Sequence, residues 1–379
     1  YKTFAKKEKQ SAQSQRSAIA CTTGKAFNEK TDIDSYLKEN GIEFTNLTEE
    51  SWIISSKAED KIKKRIEKIG TPLKEWDVSI NYGIKTGLNK AFILDGPKKD
   101  ELIAKDPKSA EIIKPVLRER DIKRYRSEFA DLWLINSHNG YGDVRPINID
   151  DYPAIKNHLD NYWINIEKRY DKGITPYNLR NCTYVKEFEK EKIVWGNLAL
   201  ISQFCLVKSG MYINAPSPLI ASGNRYLLGV LNSSLADHYI RSRGVTRNGG
   251  YFEYKPMFVE HFPIPKISIS QQRPFEVLVD CILFAKENNM KIEADTFESV
   301  VDGMVYDLYF EDEMKSDNCY ITDRIGEIVK PFKEDDSNEF KKEYIEKLHA
   351  FCRNDKTVFR GLIHRRNVKV VKIINGETK

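Results

Sequence analysis

The chain has 379 residues, of which 40% are hydrophobic and 31% are charged, and its formal net charge is +5. This length predicts two or three packing units, each able to bury a core. No apolar run approaches the roughly 18 residues that a membrane span needs, and no signal peptide opens the sequence, so we expect a soluble cytoplasmic protein without a membrane partner. The six cysteines show no zinc-ligand spacing, which predicts reduced thiols and no metal site.

The charge is distributed unevenly along the chain. Residues 1–265 carry 42 basic and 34 acidic side chains, residues 266–350 carry 11 and 20, and residues 351–379 carry 8 and 2. A polyanion is therefore expected to bind the first two thirds of the chain or the tail, and to be repelled by the block between them. An ordinary solvated surface accounts for the same distribution.

The N-terminal part, residues 1–70, is predicted to be an arm followed by a connecting helix. Residues 1–30 are polar and weakly periodic, so we assign no fold to them. Ser56 and Glu59 have the spacing of a capping box, and Gly70 with Pro72 forms a stop signal. These signals predict one helix from Ser56 to Gly70.

Short strands and helices alternate in the next part of the chain, residues 71–265. Alternating side chains predict a strand from Trp76 to Tyr82, and residues 83–89 are predicted to form a loop. The other predicted strands are Ala91–Leu94, Leu132–Ile135, Ile193–Trp195, Phe204–Val207 and Leu219–Ala221, and the predicted helices are Pro153–Tyr170 and Arg225–Arg243. Interleaved elements of this kind predict a mixed α/β (α+β) domain.

The rigid run Phe262-Pro263-Ile264-Pro265 marks a predicted domain boundary near Lys266. Long amphipathic segments follow it, so residues 266–379 are predicted to form a mostly helical C-terminal unit. The last apolar run, Val368–Ile374, is predicted to be an edge strand.

The sequence contains no motif that marks a catalytic centre. It lacks a phosphate-binding loop, a dinucleotide loop, a nucleophile elbow and a zinc-binding His-Glu-x-x-His helix. It also lacks any Pro-Pro pair, which the adenine-binding loop of amino-methyltransferases requires. The Glu-x-Lys triplets that begin at Glu59, Glu313 and Glu339 each lie in a charged helical stretch that is typical of a solvated face. We therefore predict no catalytic residue in this chain.

Four loops instead combine basic, amide and aromatic side chains. Arginine and asparagine can pair with the edges of guanine and adenine, whereas lysine, threonine and glycine-rich backbone suit phosphates. The alternative is a surface loop whose arginines pair with local acids, such as Arg120 with Asp121 or Glu119. The candidate DNA-binding residues are Lys85, Thr86, Asn89, Arg118, Arg120, Lys123, Arg124, Tyr177, Arg180, Arg247, Asn248 and Tyr251.

Six segments in one order resemble a known family, over roughly Ile62 to Lys266. They are Gly70–Trp76, Gly83–Phe92, Lys114–Tyr125, Thr175–Arg180, Leu231–Ser234 and Phe262–Pro265. Together they resemble the C-terminal specificity region of Taq-type adenine-specific DNA methyltransferases and of type IIG restriction-modification enzymes. One departure is Glu119, which stands where the family often has glycine between two arginines and which adds a negative charge near the DNA.

The resemblance implies that residues 71–265 are a target-recognition domain that binds double-stranded DNA. It also implies a methyltransferase domain in cis, upstream of this chain, which binds S-adenosylmethionine, and Mg²⁺ if a nuclease is fused as well. The chain begins at Tyr1 and its first methionine is Met211, so we expect a preceding segment. No cofactor is expected in this chain itself, and whether its parent also cleaves DNA stays open.

Two alternatives stay open at this point. The chain could be a stand-alone specificity subunit that docks on separate catalytic subunits through its helices. It could also contain a nuclease whose motif the sequence does not reveal, in which case magnesium-dependent cleavage would depend on one Glu-x-Lys triplet.

Overall fold

A computed structural model describes residues 2–7, 17–23, 32–45, 57–333 and 335–377. The N-terminal part contains an antiparallel sheet of order β1-β2-β3 with one helix. Its elements are β1 Lys2–Lys7, β2 Ser17–Thr23, α1 Ile33–Asn40 and β3 Ile42–Thr45. Helix α1 begins after Asp32, whose side chain accepts a hydrogen bond from the Ser35 amide (3.1 Å).

The connecting helix is confirmed as α2, Lys57–Ile69. Ile62 and Ile66 are buried on its apolar side. Ser56 lies outside the described residues, so the predicted capping box is not described. A side chain at Gly70 would clash with the backbone of Pro263, which explains why glycine follows this helix.

The region from residue 71 to residue 264 mixes short strands with short helices, as predicted for a mixed α+β domain. Its first elements are β4 Thr71–Pro72, β5 Ile80–Tyr82, α3 Asn89–Phe92, β6 Ile93–Asp95, α4 Gly96–Lys105, β7 Ile113–Leu117, β8 Ile122–Lys123, β9 Arg126–Ser127, β10 Leu132–Ile135, α5 Pro153–Asp160 and α6 Trp163–Ile166. The remaining ones are β11 Lys192–Trp195, β12 Leu198–Ala199, β13 Phe204–Val207, β14 Tyr212–Ile213, β15 Pro218–Ile220, α7 Arg225–Leu231, α8 Ser234–Arg243, β16 Phe252–Glu253, α9 Pro256–Val259 and β17 Pro263–Ile264.

Two four-stranded sheets, of orders β14-β7-β10-β6 and β13-β11-β15-β5, organise this region. Strand β14 runs parallel to β7, and the other pairs in both sheets are antiparallel. Because side chains alternate along a strand, the second sheet has two buried faces. Ile193 and Trp195 join one hydrophobic cluster with the helices, whereas Val194 joins a second cluster with the first sheet.

Two predicted helices are interrupted, and polar side chains explain both breaks. The helix predicted over Pro153–Tyr170 stops at Asp160. There the side-chain amide of Asn161 donates a hydrogen bond to the carbonyl of Asn157 (2.9 Å). The helix predicted over Arg225–Arg243 is divided after Leu231. There the Asn232 side chain bonds the backbone of Phe204, and Ser233 accepts the Ala236 amide (3.1 Å), which starts a new helix.

Two strand predictions are too long. The strand predicted over Trp76–Tyr82 is limited to β5, because a 3₁₀ turn at Leu73–Glu75 precedes it and the Val78 amide bonds the Trp76 carbonyl (2.8 Å). The strand predicted over Ala91–Leu94 begins only at Ile93, because Ala91 and Phe92 complete helix α3. The other predicted strands are confirmed within one residue.

The mostly helical C-terminal unit is confirmed. Its helices are α10 Ile269–Glu287, α11 Lys291–Tyr309, α12 Glu311–Ser316, α13 Thr322–Ile328, α14 Asn338–Asn354, α15 Lys356–His364 and α16 Lys369–Ile374. The edge strand predicted over Val368–Ile374 is wrong, because these residues form α16 and pack against α2. Burial of Val371 and Ile374 against that helix outweighs the strand preference of β-branched side chains.

The predicted boundary near Lys266 stays a prediction. The larger hydrophobic cluster contains Ile66 and Leu228 from one side of this point and Val301 and Ile373 from the other. The second cluster lies wholly within the α/β region, from Ile84 to Leu219.

Candidate nucleic-acid interface

Loops from distant parts of the sequence meet around an open concavity, which we call the loop concavity. It lies where the turn after β7, the β11–β13 connection and the loop before β16 approach the start of α3. Its polar and charged lining residues include Asn89, Arg118, Glu119, Arg120, Lys123, Gln203 and Asn214. Its apolar wall includes Leu198, Leu200, Pro216 and the ring of Tyr251. Five predicted DNA-binding residues therefore share one surface.

Arg118 and Arg120, two residues apart, have different environments. The Arg118 guanidinium donates two hydrogen bonds to Asp121, both at 2.9 Å, and its backbone amide donates a third to the same carboxylate. Although burial alone would raise the pKa of Asp121, these bonds from Arg118 lower it. Arg120 is exposed, and its guanidinium makes no hydrogen bond or ion pair with any residue that the structure describes. Arg120 is thus the arginine of this turn that is available to a ligand.

Lys123 and Glu119 complete the same turn. The Lys123 ammonium donates to the carbonyl of Arg120 (2.7 Å), which keeps it beside that arginine. The Glu119 carboxylate accepts the backbone amide of Leu198 (2.8 Å). The unusual acid at position 119 therefore fixes the neighbouring loop to the turn, and its charge faces the concavity.

The predicted loop 83–89 extends from the loop concavity, which Asn89 lines, toward residues 171–180. The buried Thr86 hydroxyl donates to the Asn89 side-chain oxygen (2.5 Å), which leaves the amide group of Asn89 exposed. Gly87 has a φ of +68° and lies against Arg169 and Asp171, so a side chain there would be strained and crowded. The loop is thereby held at both ends, with Lys85 on one side and Asn89 on the other.

Residues 171–180 form a hairpin, which we call the 171–180 hairpin. Lys172 pairs with Leu179 in an antiparallel bridge, and the Gly173 amide donates to the Asn178 carbonyl (3.0 Å). The Asn178 amide donates in turn to the Thr175 carbonyl (3.1 Å), which closes the tip. The predicted loop around Tyr177 and Arg180 is therefore a defined turn.

Arg169 lies beneath this hairpin and is buried. Its guanidinium donates to the carbonyls of Thr86, Asp171 (3.1 Å), Pro176 (2.9 Å) and Asn178 (2.9 Å). Its charge also lies over the ring of Phe92, 4.2 Å from the ring centre. Burial lowers the pKa of Arg169 to about 10, so it stays protonated at neutral pH. This arginine joins the 83–89 loop to the 171–180 hairpin.

Lys85 and Arg180 share one carboxylate at the base of the hairpin. The Lys85 ammonium lies 3.0 Å from one oxygen of Asp171, and the Arg180 guanidinium lies 3.2 Å from the other. The side chain of Asp171 is only 10% exposed, whereas those of Lys85 and Arg180 are 56% and 57% exposed. Two cations therefore stand side by side with one acid behind them, and both retain donors that face solvent.

The loop before β16 carries the last three predicted residues. Arg247 donates to the buried carboxylate of Glu253 (2.6 Å), and Lys255 lies 2.7 Å from its other oxygen. Hydrogen bonding from Lys255, opposed by burial and aided by Arg247, lowers the pKa of Glu253. Asn248 and Tyr251 are exposed on the same loop. Among these residues, Tyr251 lines the loop concavity.

Two predicted contacts are already engaged by other groups of the protein, Arg124 in the interior and Tyr177 at the surface. Arg124 donates to Glu298 and to the carbonyls of Ser202 and Asn232, so it joins the turn after β7 to α11 and is not free to meet a ligand. The Tyr177 hydroxyl donates to Asp160 (2.5 Å), and its ring packs on that of Trp163. We therefore remove Arg124 from the candidate interface and assign Tyr177 a supporting position.

Sequence reasoning also missed residues of this surface. Gln203 and Leu200 line the loop concavity, and Arg169 fixes two of its loops. The apolar run Leu198–Ile201 within this loop was the available signal for the first pair, and the structure leaves Leu200 and Ile201 about half exposed. Only one acceptor of Arg169, the Asp171 carbonyl, is close to it in sequence, and the others lie at positions 86, 176 and 178.

The described residues contain neither a metal-binding cluster nor a membrane-spanning helix. Within the described ranges no group of three or more His, Cys, Asp or Glu side chains is arranged to hold a metal ion. None of the described helices is both long enough and apolar enough to cross a membrane.

Comparison with known proteins identifies the centre of this region. Residues 114–264 match the family described as the TaqI-like C-terminal specificity domain. The resemblance predicted from the sequence is therefore confirmed over this segment. The match includes the turn after β7, the 171–180 hairpin and the loop before β16. No curated protein sequence gives a significant match.

Two solved structures are also similar to the chain. One is the type IIL restriction-modification enzyme MmeI in complex with DNA, with a TM-score of 0.47 and 15% identity, covering 74% of this chain and 36% of that chain. The other is the type IIG restriction endonuclease BpuSI, with a TM-score of 0.39 and 16% identity, covering 67% and 32%. The chain thus spans about a third of the length of these proteins.

Proposed function

We propose that this chain is the module of a restriction-modification enzyme that recognises a sequence in double-stranded DNA. The loop concavity is the observation that carries the proposal, because it gathers Asn89, Arg120, Lys123 and Tyr251 from three separate loops. The match of residues 114–264 to a specificity domain supports the same conclusion. The DNA complex of MmeI motivates the choice of duplex DNA as the ligand.

The surface divides into groups that suit bases and groups that suit the backbone. Arg120, Asn89 and Gln203 carry the guanidinium and amide groups that pair with base edges in the major groove. Lys123, Lys85 and Arg180 carry exposed charges that suit phosphates, which position a protein without reading sequence. Tyr251 and Leu200 add an apolar wall that excludes water from such contacts.

We further propose that the catalytic centre belongs to an adenine-specific methyltransferase domain in cis, upstream of this chain, with S-adenosylmethionine as its cofactor. The absence of catalytic motifs from the sequence and the Taq-type resemblance support this assignment. Mg²⁺ would enter only with a fused nuclease. On this proposal the present chain determines where the enzyme acts, and other residues perform the chemistry.

The proposal is tested by selecting duplexes from a random library with the 379-residue chain and then measuring their affinity in a salt titration. We expect one sequence to be enriched. If about six phosphates are neutralised, affinity for it should fall about 10³-fold between low and moderate salt. The matched control is an unselected duplex, which should bind more weakly with a comparable salt slope. Failure to enrich any sequence, or affinity that does not change with salt, would contradict the proposal.

A further inference from the structure

The 171–180 hairpin carries an apolar residue at its tip, although solvent surrounds that position. Ile174 is 71% exposed and lies at the turn between Gly173 and Thr175. An isolated exposed isoleucine on a helix face is ordinary, but here it is displayed by a turn whose backbone is fixed on every side. The structure therefore holds this side chain outward in one defined position.

Hydrogen bonds between side chains and backbone of residues 137–147 and the hairpin fix the tip. The Ile174 amide donates to the side-chain oxygen of Asn139 (2.7 Å), and the Ser137 hydroxyl donates to the carbonyl of Tyr177 (2.7 Å). The Asn178 side chain donates to the carbonyl of Ile147 (2.8 Å). A turn with these anchors loses little conformational freedom when it meets a partner, so its contacts can be specific.

Arg169 is a second anchor of the hairpin, and its burial costs desolvation free energy. It donates to three carbonyls of the hairpin, and its Nε is buried without a hydrogen-bond partner among the described residues. Desolvating a guanidinium costs free energy, which the bonds of Arg169 to the carbonyls and its contact with the Phe92 ring offset. Through these bonds Arg169 ties the hairpin to the 83–89 loop and fixes its position.

The charges at the base of the hairpin indicate what the tip meets. Lys85 and Arg180 stand together on Asp171 and keep free donors, an arrangement that suits a phosphate oxygen. If a phosphate occupies the base of the hairpin, a fixed tip at the other end of the hairpin can reach into a groove of the same duplex. Among groove surfaces, the C5 methyl of thymine is the one that an aliphatic side chain recognises by contact.

We infer that the 171–180 hairpin is a reading element that places Ile174 against the methyl group of a thymine in the major groove, with Lys85 and Arg180 on the flanking backbone. This inference rests on the proposed function and names the base feature that one part of the surface reads. It assigns a specificity role to a residue that carries no hydrogen-bonding group.

Deoxyuridine provides a sharp test, because it lacks the thymine methyl and keeps the same pairing edges. Each thymine of the selected duplex is replaced in turn by deoxyuridine, and the Kd is measured for the wild-type chain and for Ile174→Ala. At one position we expect the wild type to bind about fourfold more weakly, the effect of one buried methyl group. Ile174→Ala should bind the thymine duplex more weakly and should not distinguish the two bases at that position.

Ile292→Ala is the matched control. Ile292 is 64% exposed on α11, in the acidic helical unit, so this variant removes the same atoms from a surface of opposite charge. It should retain the wild-type response at every thymine. Because Ile174 is exposed, its replacement is not expected to lower the free energy of unfolding.

Two results would overturn the inference while leaving the proposed function intact. In one, a sequence is selected and bound, but no thymine methyl contributes to affinity. In the other, replacing each thymine by deoxyuridine changes the Kd of Ile174→Ala by the same factor as it changes the Kd of the wild type. If the chain instead selects no sequence, the proposed function itself fails, and the two failures are therefore distinguishable.

Discussion

Cations in the loops of the candidate interface are used differently from those on the C-terminal helices. On the helices, exposed lysines pair with acids one turn away, which is the pattern of a solvated helix face. These pairs are Lys291 with Asp295, Lys315 with Glu311 and Lys347 with Glu343. In the α/β region Arg120 has no partner among the described residues, Lys85 and Arg180 share one acid, and Arg169 donates only to backbone carbonyls.

The difference shows that overall charge is a poor guide to where a polyanion binds. A paired lysine on a helix gains little from a phosphate, because binding must first displace its local carboxylate. An unpaired arginine on a fixed loop has no such competitor. The binding surface is therefore expected where charge is both exposed and unneutralised, around the loop concavity and the 171–180 hairpin.

The largest effect is expected from Arg169→Met. This substitution leaves the carbonyls of Thr86, Asp171 and Pro176 without their shared donor, whereas the Asn178 carbonyl still accepts the Gly173 amide. Each buried polar group left unsatisfied costs about 1–3 kcal/mol. We expect the free energy of unfolding, measured by urea denaturation, to fall by about 3 kcal/mol or more. DNA affinity should fall as well, because the loops that Arg169 joins lose their fixed positions.

Arg324→Met is the control for this prediction in the helical unit. Arg324 is 41% exposed and pairs with Glu327 and Asp355, so its loss should lower the free energy of unfolding far less than Arg169→Met does and should leave DNA affinity unchanged. Equal losses of stability in the two variants would contradict the distinction between the two regions.

A smaller effect, confined to binding, is expected from Arg120→Ala. Because the Arg120 guanidinium makes no hydrogen bond to a described residue, its removal should leave the free energy of unfolding unchanged. Loss of a base contact should weaken binding to the selected duplex about tenfold. Lys347→Ala removes the same charge from α14 and should change the Kd by less than about twofold. A similar loss in both variants would mean that Arg120 contributes only bulk charge.

The smallest effect is expected from Glu119→Gln. Glutamine keeps the side-chain oxygen that accepts the Leu198 amide, so the loop stays attached, but the negative charge facing the concavity is removed. We expect affinity for DNA at low salt to rise about twofold to threefold and the difference to shrink as salt screens it. Unchanged affinity at low salt would place the phosphates away from this turn.

Elements with a clear apolar pattern were predictable from the sequence, and two-residue elements were not. Short apolar runs identified β11 and β13, and an apolar stripe identified α2. Strands such as β12 and β16 have only two residues and exist because their loops are brought together elsewhere. Helix α16 has the composition of a strand, and only its packing against α2 decides its conformation.

The composition of the sequence located the loops of the site, but it could not predict how they are arranged in space. Arg118, Arg120 and Arg124 look alike in sequence, yet one is tied to Asp121, one is exposed and one is bonded to Glu298. These differences depend on residues up to 174 positions away. Arg169 was missed for the same reason, since its four acceptors are backbone carbonyls that carry no signal in the sequence.

Lysine footprinting tests the central claim most directly. The rates at which exposed lysines are acetylated are measured by mass spectrometry with and without the selected duplex. Bound DNA should protect Lys85 and Lys123 in the α/β loops and leave Lys291, Lys315 and Lys347 on the helices as reactive as before. Protection of the helical lysines, with Lys85 and Lys123 unchanged, would contradict the account.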